Sequence, residues 1–216
     1  MAAPSVYTNS KLEQHIAECH HNSTIDLSNG NYNDKDMEIV VEQAMKGKKC
    51  KALVLCRNNI TKDGALKLAE GLQNNTSLEK LNLGYNNIGD IGVEYLTEAL
   101  LKSNKTLLKL HLQSNSITAN GAEHLAKMLT MNRSIRHLGL DYNSIGDRGV
   151  QLLSLALRSN SVTVDIAPTC EVSDDDYFLF TTLKIIDAIS LDACRRITHP
   201  SDLCLVDYVS NMISFD

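Results

Sequence analysis

One short pattern recurs along the sequence and constrains the fold more than any other feature. The template LxLxxNxI occurs at residues 53–60, 81–88, 110–117 and 138–145, and its asparagines follow one another at steps of 28, 29 and 28 residues. A period of this length predicts stacked supersecondary units, because one such unit is too small to bury an apolar face alone. Ile25-Asp-Leu27 followed by Gly30 continues the period upstream. We interpret it as a fifth, degenerate unit whose asparagine has slipped to Asn29.

The second half of each unit repeats the spacing of a helix. Apolar residues stand 7, 10 and 14 residues after the asparagine, which places them on one face of an α-helix. Acidic residues in the first helical turn suit the positive end of the helix dipole, at Asp63, Asp90 and Asp147. Four units carry a glycine six residues after the asparagine, where close approach of a neighbouring backbone is expected: Gly64, Gly92, Gly121 and Gly149. Each unit is therefore predicted to be a strand, a turn and a helix.

The repeated asparagine has a mechanical reason to recur. Backbone groups lose their sheet partners at the turn after a strand, and a buried amide side chain supplies both a donor and an acceptor. With Asn-x-Ile-Gly-Asp-x-Gly at residues 86–92 and 143–149, the pattern resembles the ribonuclease-inhibitor-like subclass of leucine-rich repeats. Repeats of this type occur in the sensor regions of NOD-like receptors, in Ran GTPase-activating protein and in tropomodulins. The resemblance implies an α/β fold, a leucine-rich repeat solenoid (a right-handed β-α superhelix in a horseshoe arc) with a parallel concave sheet and outer helices.

Three regions are predicted along the chain. Residues 1–22 form an N-terminal capping helix, opened by a capping-box signature from Ser10 to Glu13. Residues 23–167 form the solenoid of about five units, with Val164-Asp-Ile166 as a further strand. Residues 168–216 form an acidic, helical C-terminal cap, since they hold nine acidic and three basic side chains. The formal net charge of −5 therefore belongs to the tail, and the repeats are nearly neutral.

The predicted binding surface consists of the side chains between the core leucines. Alternate side chains of a strand face opposite ways, so these residues point to the concave side. Two tyrosines and an arginine at the strand exits are of the types enriched at binding hot spots, although the tyrosine rings could equally cover the edge of the loops. The predicted partner-binding residues are Arg57, Lys80, Asn82, Tyr85, Lys109, His111, Gln113, His137, Asp141 and Tyr142.

Two groups of residues suggest chemistry at first sight. Cys19-His20-His21 contains metal-ligating side chains, but adjacent residues do not converge easily on one ion and no second cluster completes a four-ligand site. Cys56 with His111 or His137 offers a nucleophile and a base, without a third group to orient them. We therefore predict a protein that is not an enzyme, with no catalytic residue, no metal and no cofactor.

Composition bears on the compartment and on the class of partner. The sequence starts without a basic and apolar signal, contains no run of 18 apolar residues and shows no regular cysteine framework, which favours free thiols in a reducing, cytoplasmic location. Several Asn-x-Ser/Thr triplets are attributed to loop composition: Asn22, Asn59, Asn74, Asn75, Asn104 and Asn132. An acidic chain is not expected to bind nucleic acid, and no membrane partner is expected.

These observations predict a monomeric protein-protein interaction scaffold that binds another protein, of unknown identity, on its concave face. The resemblance implies a NOD-like-receptor-type recognition or adaptor module, and it leaves open whether the chain stands alone or derives from a larger receptor. Two alternatives follow from the other relatives. One is a GTPase-activating protein resembling the Ran regulator, with Arg57 and Asn82 as the first residues to substitute. The other is an actin-binding protein resembling tropomodulin.

Overall fold

The computed structural model describes residues 7–158 and 162–165, in which strands and helices alternate. The strands are β1 (Thr24–Asp26), β2 (Ala52–Val54), β3 (Lys80–Asn82), β4 (Lys109–His111), β5 (His137–Gly139) and β6 (Thr163–Asp165). The helices are α1 (Ser10–Glu18), α2 (Met37–Ile39), α3 (Lys62–Leu72), α4 (Gly89–Lys102), α5 (Ala119–Met131) and α6 (Gly146–Leu157). The predicted acidic cap at residues 168–216 lies outside the described residues, and so does Ile166.

The six strands form one parallel sheet in chain order, as the repeat predicts. The central leucines of β2 to β5 are in register with one another, and all of them are buried: Leu53, Leu81, Leu110 and Leu138. Val164 of β6 continues this row beside Leu138 and is buried as well. The further strand thus runs over Thr163–Asp165, one residue earlier than predicted.

The curvature of the solenoid follows from the unequal thickness of its two layers. Neighbouring strands lie about 4.8 Å apart, whereas packed helices need about 8 to 10 Å between their axes. Consecutive helices α3 to α6 pack against each other outside the sheet. The sheet therefore occupies the inner side of the arc, and its surface facing away from the helices is the concave face.

The asparagine of the template connects consecutive units. The Nδ2 group of Asn86 donates to the carbonyl of Leu83 in its own unit at 2.9 Å and to that of Leu55 in the preceding unit at 3.0 Å, while its Oδ1 accepts the N–H of Ile60. The side chains of Asn58, Asn115 and Asn143 each likewise bond backbone groups of their own and the preceding unit. The predicted donor and acceptor roles are both confirmed.

This geometry explains why the first unit lacks the asparagine. Each template asparagine bonds backbone groups of the unit that precedes it. Gly30 occupies the asparagine position of the first unit, and this unit is preceded by α1 instead of by another repeat. The Gly30 N–H is instead bonded by Asn58 Oδ1 of the next unit, at 3.1 Å. The interpretation of Asn29 as a slipped template asparagine is wrong, because Asn29 is exposed and has a left-handed backbone with φ of 55°.

A second row of asparagines follows the helices. Asn104 Nδ2 donates to the Leu72 carbonyl of the preceding unit at 2.9 Å, and its Oδ1 accepts the N–H groups of Thr106 and Leu107. Asn132 makes the corresponding bonds to Leu100, Ser134 and Ile135, and both asparagines are buried. The Asn-x-Ser/Thr triplets at these two positions are therefore structural turns in the folded chain.

A third inter-unit contact explains the repeated glycine. Asp34 Oδ1 accepts the N–H groups of Thr61 and Gly64, at 2.8 and 2.9 Å, and its Oδ2 accepts the Thr61 hydroxyl. A Cβ atom at Gly64 would lie 2.5 Å from that carboxylate, so close approach requires glycine. Asp90, Thr118 and Gly121 repeat the carboxylate–threonine contact and the close approach two units later.

Two local details differ from the sequence prediction. The N-cap of α1 is Asn9 rather than Ser10, since Asn9 Oδ1 accepts the Leu12 N–H while Glu13 accepts the Asn9 N–H. The helix of the first unit continues from α2 as a π-helical segment, Val40–Gly47, instead of a regular α-helix. Val40, Val41, Ala44 and Met45 form the buried face of this segment.

Candidate protein-binding surface

The strands place the predicted binding residues in rows across the concave face. Lys80, Lys109 and His137 are paired in register along one row of β3, β4 and β5. Asn82 and His111 form the next row, and Gln113 and Asp141 follow β4 and β5 in the row beyond. The structure therefore brings seven of the predicted residues onto one continuous surface.

The strand exits carry a row of residues with left-handed backbone. Arg57, Tyr85, Ser114 and Tyr142 all have φ between 49° and 58°, and Asn29 of the first unit belongs to the same row. The guanidinium carbon of Arg57 lies 4.7 Å from the centroid of the Tyr85 ring, in a cation–π contact. Both tyrosines remain more than two fifths exposed, at 44% for Tyr85 and 43% for Tyr142. These residues form an amphipathic rim beside the concave rows.

Two of the predicted residues are occupied by contacts within the chain. The Asn82 carboxamide accepts the N–H of Gly84 at 3.0 Å. The Gln113 amide nitrogen lies 3.3 Å from His111 Nδ1, and the same side chain fills the space where a Cβ of Gly139 would stand. Asn82 and Gln113 are half-buried, so they shape the floor of the surface rather than project from it.

His111 is the most perturbed titratable group on this surface. Its ring centroid lies 5.0 Å from that of His137, and its Nε2 atom is buried without a hydrogen-bond partner. Burial lowers the pKa of His111 to about 4, helped by the nearby His137, Lys80 and Lys109. The His111 ring is therefore neutral at physiological pH, although cationic side chains surround it.

Sequence reasoning missed the first strand as part of the surface. Thr24 and Asp26 of β1 are in register with Ala52 and Val54 of β2, so the rows begin one unit earlier than predicted. The Asp26 carboxylate accepts the N–H and hydroxyl groups of Ser28, and these bonds lower its pKa. The sequence does contain the information needed to place this strand, because Thr24 and Asp26 stand 28 residues before Ala52 and Val54, one repeat period upstream.

The groups considered for metal binding or catalysis are not assembled into sites. Within the described residues, no cluster of three or more histidine, cysteine or acidic side chains could hold a metal ion. The Cys19 thiol donates to the His15 carbonyl at 3.3 Å. Cys56 follows β2, which β3 separates from His111 on β4, so the two residues lie about 10 Å apart. A nucleophile and its base need hydrogen-bond distance.

The fold and the regular surface rows define a leucine-rich repeat protein, and comparison with known proteins agrees. The family model described as "Leucine Rich repeat" matches residues 74–96, 103–126 and 132–154. The chain therefore contains leucine-rich repeats, and its units are similar to those of the ribonuclease-inhibitor-like type.

Relatives of this type share part of their length with the chain. Ribonuclease inhibitor of Sus scrofa is 32% identical over 126 residues, which are 57% of this chain and 28% of that protein. NACHT, LRR and PYD domains-containing protein 3 of Bos taurus is 30% identical over 63% of this chain and 13% of its own length. Protein 14 of the same series from Mus musculus is 37% identical over 56% of this chain and 12% of its own length. The match thus spans less than a third of each relative.

A solved structure shows the same fold. Leiomodin-1 Actin-Binding Site 2 superposes with a TM-score of 0.55 and 23% sequence identity, over 72% of this chain and 91% of that one. Among the described helices, none combines the length and apolar character needed to cross a membrane.

Proposed function

We propose that the chain is a protein-interaction scaffold whose concave face binds another protein. The observation that carries this proposal is the rim formed by Arg57, Tyr85 and Tyr142, which places exposed hot-spot residue types beside the concave rows. The backbone beneath the surface is fixed by the sheet and by the asparagine rows, so binding would need little rearrangement.

The opposite, helical face supports the choice of the concave face. Several of its charges are paired with each other, as in Lys67 with Glu38, Lys102 with Glu98 and Arg148 with Glu123. Side chains already paired across a surface are typical of a solvated face. The described helices also expose large apolar residues, namely Leu66, Ile91, Met131 and Leu155, and of these Ile91 and Leu155 provide a matched control.

The test is affinity capture from the cell that expresses the chain, with proteins quantified by mass spectrometry. The concave variant Y85A/Y142A should lose the captured partner, and the convex variant I91A/L155A should keep it. Both variants remove two exposed apolar side chains, and circular dichroism should show that both remain folded. If Y85A/Y142A captures the partner as well as the native chain does, or if I91A/L155A loses it, the binding site does not lie on the concave face.

The finer proposal is that the partner belongs to a NOD-like-receptor-type recognition system, in which this chain acts as an adaptor module. It is supported by relatives of Bos taurus and Mus musculus whose names contain NACHT, LRR and PYD domains. If it is right, the proteins lost from Y85A/Y142A capture include a protein with a NACHT domain. If the proteins that Y85A/Y142A no longer captures include none with a NACHT domain, the partner belongs to another pathway.

Actin is a second candidate partner, because the solved structure with the same fold is an actin-binding site of Leiomodin-1. Cosedimentation with actin filaments tests it directly. Pelleting that depends on filaments and is abolished by Y85A/Y142A would identify actin as the partner of the concave face. A chain that stays in the supernatant at every filament concentration excludes filamentous actin.

We also propose a reducing, cytoplasmic location. Cys19, Cys50 and Cys56 are free thiols in the described part of the chain, and burial raises the pKa of Cys50 to about 11. The buried Asn104 and Asn132 could not carry a glycan in the folded chain. Fractionation of the expressing cells, with glycosidase treatment of the chain, tests the location: the band should stay in the cytosolic fraction and keep its mobility.

A further inference from the structure

One buried carboxylate holds the segment before α1 to the first unit. Asp36 directly precedes α2 and is only 1% exposed, and its Oδ2 accepts the Asn33 N–H at 2.9 Å. Its Oδ1 accepts two side-chain donors from the segment before α1, the Tyr7 hydroxyl at 2.9 Å and the Asn9 amide nitrogen at 2.7 Å. All three donors are uncharged. Asp36 therefore keeps its negative charge in a buried place beside the Tyr7 hydroxyl.

This contact is linked to the helix that caps the solenoid. The Asn9 side chain bonds Asp36 through its amide nitrogen and caps α1 through its Oδ1, which accepts the Leu12 N–H at 3.2 Å. Helix α1 in turn contributes Leu12 and Ile16 to the core, and both are buried. A charge at position 7 that repels Asp36 would therefore act on the attachment of α1.

Tyr7 differs from the other exposed tyrosines of the described chain in its backbone surroundings. It is 45% exposed, about as much as Tyr85 and Tyr142. Those two residues stand at left-handed turns inside the repeats, whereas Tyr7 lies outside the repeats, in a segment of neither helix nor strand. An enzyme that modifies a tyrosine must bind the surrounding backbone as an extended segment, and a turn fixed inside a repeat cannot supply it. Tyr7 is therefore the most accessible acceptor of the three.

We propose that Tyr7 is a phosphorylation site and that its phosphate releases α1 from the first unit. A tyrosine kinase transfers the γ-phosphoryl group of ATP to Tyr7 Oη, the hydroxyl proton passes to the kinase's base and then to solvent, and ADP leaves. The product has no hydroxyl to donate to Asp36. Its charge of about −1.5 to −2 at pH 7 faces a buried carboxylate, so repulsion replaces the hydrogen bond.

The unmodified hydroxyl already responds to this carboxylate. The pKa of Tyr7 is raised, first by its hydrogen bond to Asp36, then by burial, and then by the negative charge of Asp36. Even the single negative charge of a phenolate is thus disfavoured beside Asp36. A phosphate carries more charge than a phenolate and is disfavoured there more strongly.

The test phosphorylates the full chain with ATP, Mg²⁺ and the purified catalytic domain of a tyrosine kinase. Peptide mass spectrometry locates the phosphate, and hydrogen exchange reports the opening of α1. Tyr7 should be modified faster than Tyr85 and Tyr142, and the α1 amides of the phosphorylated chain should exchange about tenfold faster or more.

Three variants separate the causes. Y7F lacks the acceptor hydroxyl, so kinase treatment should leave its α1 exchange unchanged. D36N keeps an acceptor oxygen but removes the charge, so phosphate on Tyr7 should speed its α1 exchange by no more than about threefold. The matched control Y95F removes a tyrosine hydroxyl from helix α4 and should respond to the kinase like the native chain. In the expressing cell, vanadate treatment should reveal a phosphopeptide that contains Tyr7.

Four results would overturn the inference. The kinase leaves Tyr7 without phosphate, whichever other tyrosines it modifies, or vanadate-treated cells yield no phosphopeptide that contains Tyr7. Phosphate on Tyr7 leaves the exchange of α1 as slow as in the native chain. Phosphorylated D36N opens as much as the phosphorylated native chain, which would exclude repulsion by Asp36 as the cause. None of these results bears on binding at the concave face, which the capture experiment tests separately.

Discussion

The side chain of Asn143 bonds directly to the backbone of Asn115: its Oδ1 accepts the Asn115 N–H at 2.9 Å. These two members of the asparagine row are therefore coupled to each other as well as to the strands. Asn115 itself is completely buried and donates to the carbonyl of Leu83 in the preceding unit at 2.8 Å. Each unit is fixed to its neighbour by polar bonds inside the core, and the regular rows of the concave face depend on this register.

The first prediction concerns this row. The substitution Asn115→Ala should lower the free energy of unfolding by about 2 to 3 kcal/mol, because it leaves buried backbone groups of two units without partners. The control Asn87→Ala changes an exposed asparagine of the same type of loop and should cost less than about 0.5 kcal/mol. Urea unfolding followed by circular dichroism measures both, and equal costs would contradict the role given to the row.

The second prediction concerns the carboxylate between helices. Asp90 accepts the N–H and the hydroxyl of Thr118 in the next unit, at 2.8 and 2.6 Å. Asp63 occupies the same second position of its helix and makes no such contact in the described part of the chain. Thermal unfolding should show a loss of about 1 to 2 kcal/mol for Asp90→Ala and about 0.5 kcal/mol for Asp63→Ala, which loses only its interaction with the helix dipole. A cost at Asp63 that matches the cost at Asp90 would refute the inter-unit role.

The third prediction concerns pH. The pKa of His111 is about 4 in the folded chain and about 6.5 in the unfolded chain, so the unfolded state binds the extra proton between these values. The contribution of neutral His111 to stability is complete above about pH 6.5 and is lost as the pH falls towards 4. His111→Asn, which copies the residue of the preceding unit, should flatten this fall. Urea midpoints at several pH values measure it, and parallel profiles for the two proteins would contradict the assignment.

The fourth prediction concerns the left-handed row at the strand exits. Tyr85 has φ of 57°, a conformation that asparagine tolerates and β-branched residues strongly resist. Tyr85→Asn should leave the free energy of unfolding within about 0.5 kcal/mol, since relief of the backbone offsets the lost contact with Arg57. Tyr85→Val should cost about 1 to 2 kcal/mol more than Tyr85→Asn. Thermal melts of the two variants decide, and equal stability would show that the backbone at this position is unstrained.

The sequence alone predicts the repeating architecture because the period records which side chains must be buried together. Leu81 and Asn86 could be placed in the core and at the turn from spacing alone, and the structure confirms both. The helix cap at Asn9, the π-helical segment Val40–Gly47 and the exposed position of Asn29 could not be predicted. These features belong to the first unit, which packs against α1 instead of against a preceding repeat. The contacts between repeats that shape the other units are therefore absent on that side.

The rows of the concave surface and their basic lean through Lys80 and Lys109 could be predicted from the sequence, but the contacts of the individual side chains could not. Alternation along a strand identifies Lys80, Lys109 and His137 as neighbours, and the structure confirms their register. Whether a side chain projects or folds back depends on contacts that the period does not encode. Asn82 bonds to Gly84, and Gln113 reaches His111, because glycine at 84 and at 139 leaves room for their amides.

Site-specific photocrosslinking in the expressing cell shows whether a protein partner binds on the concave face. A photoreactive amino acid is placed at half-buried Asn82 on the concave face or at half-buried Glu94 on the outer helix α4. We expect a specific crosslinked protein from position 82 and none from position 94. A crosslinked partner that forms only from position 94 would contradict it.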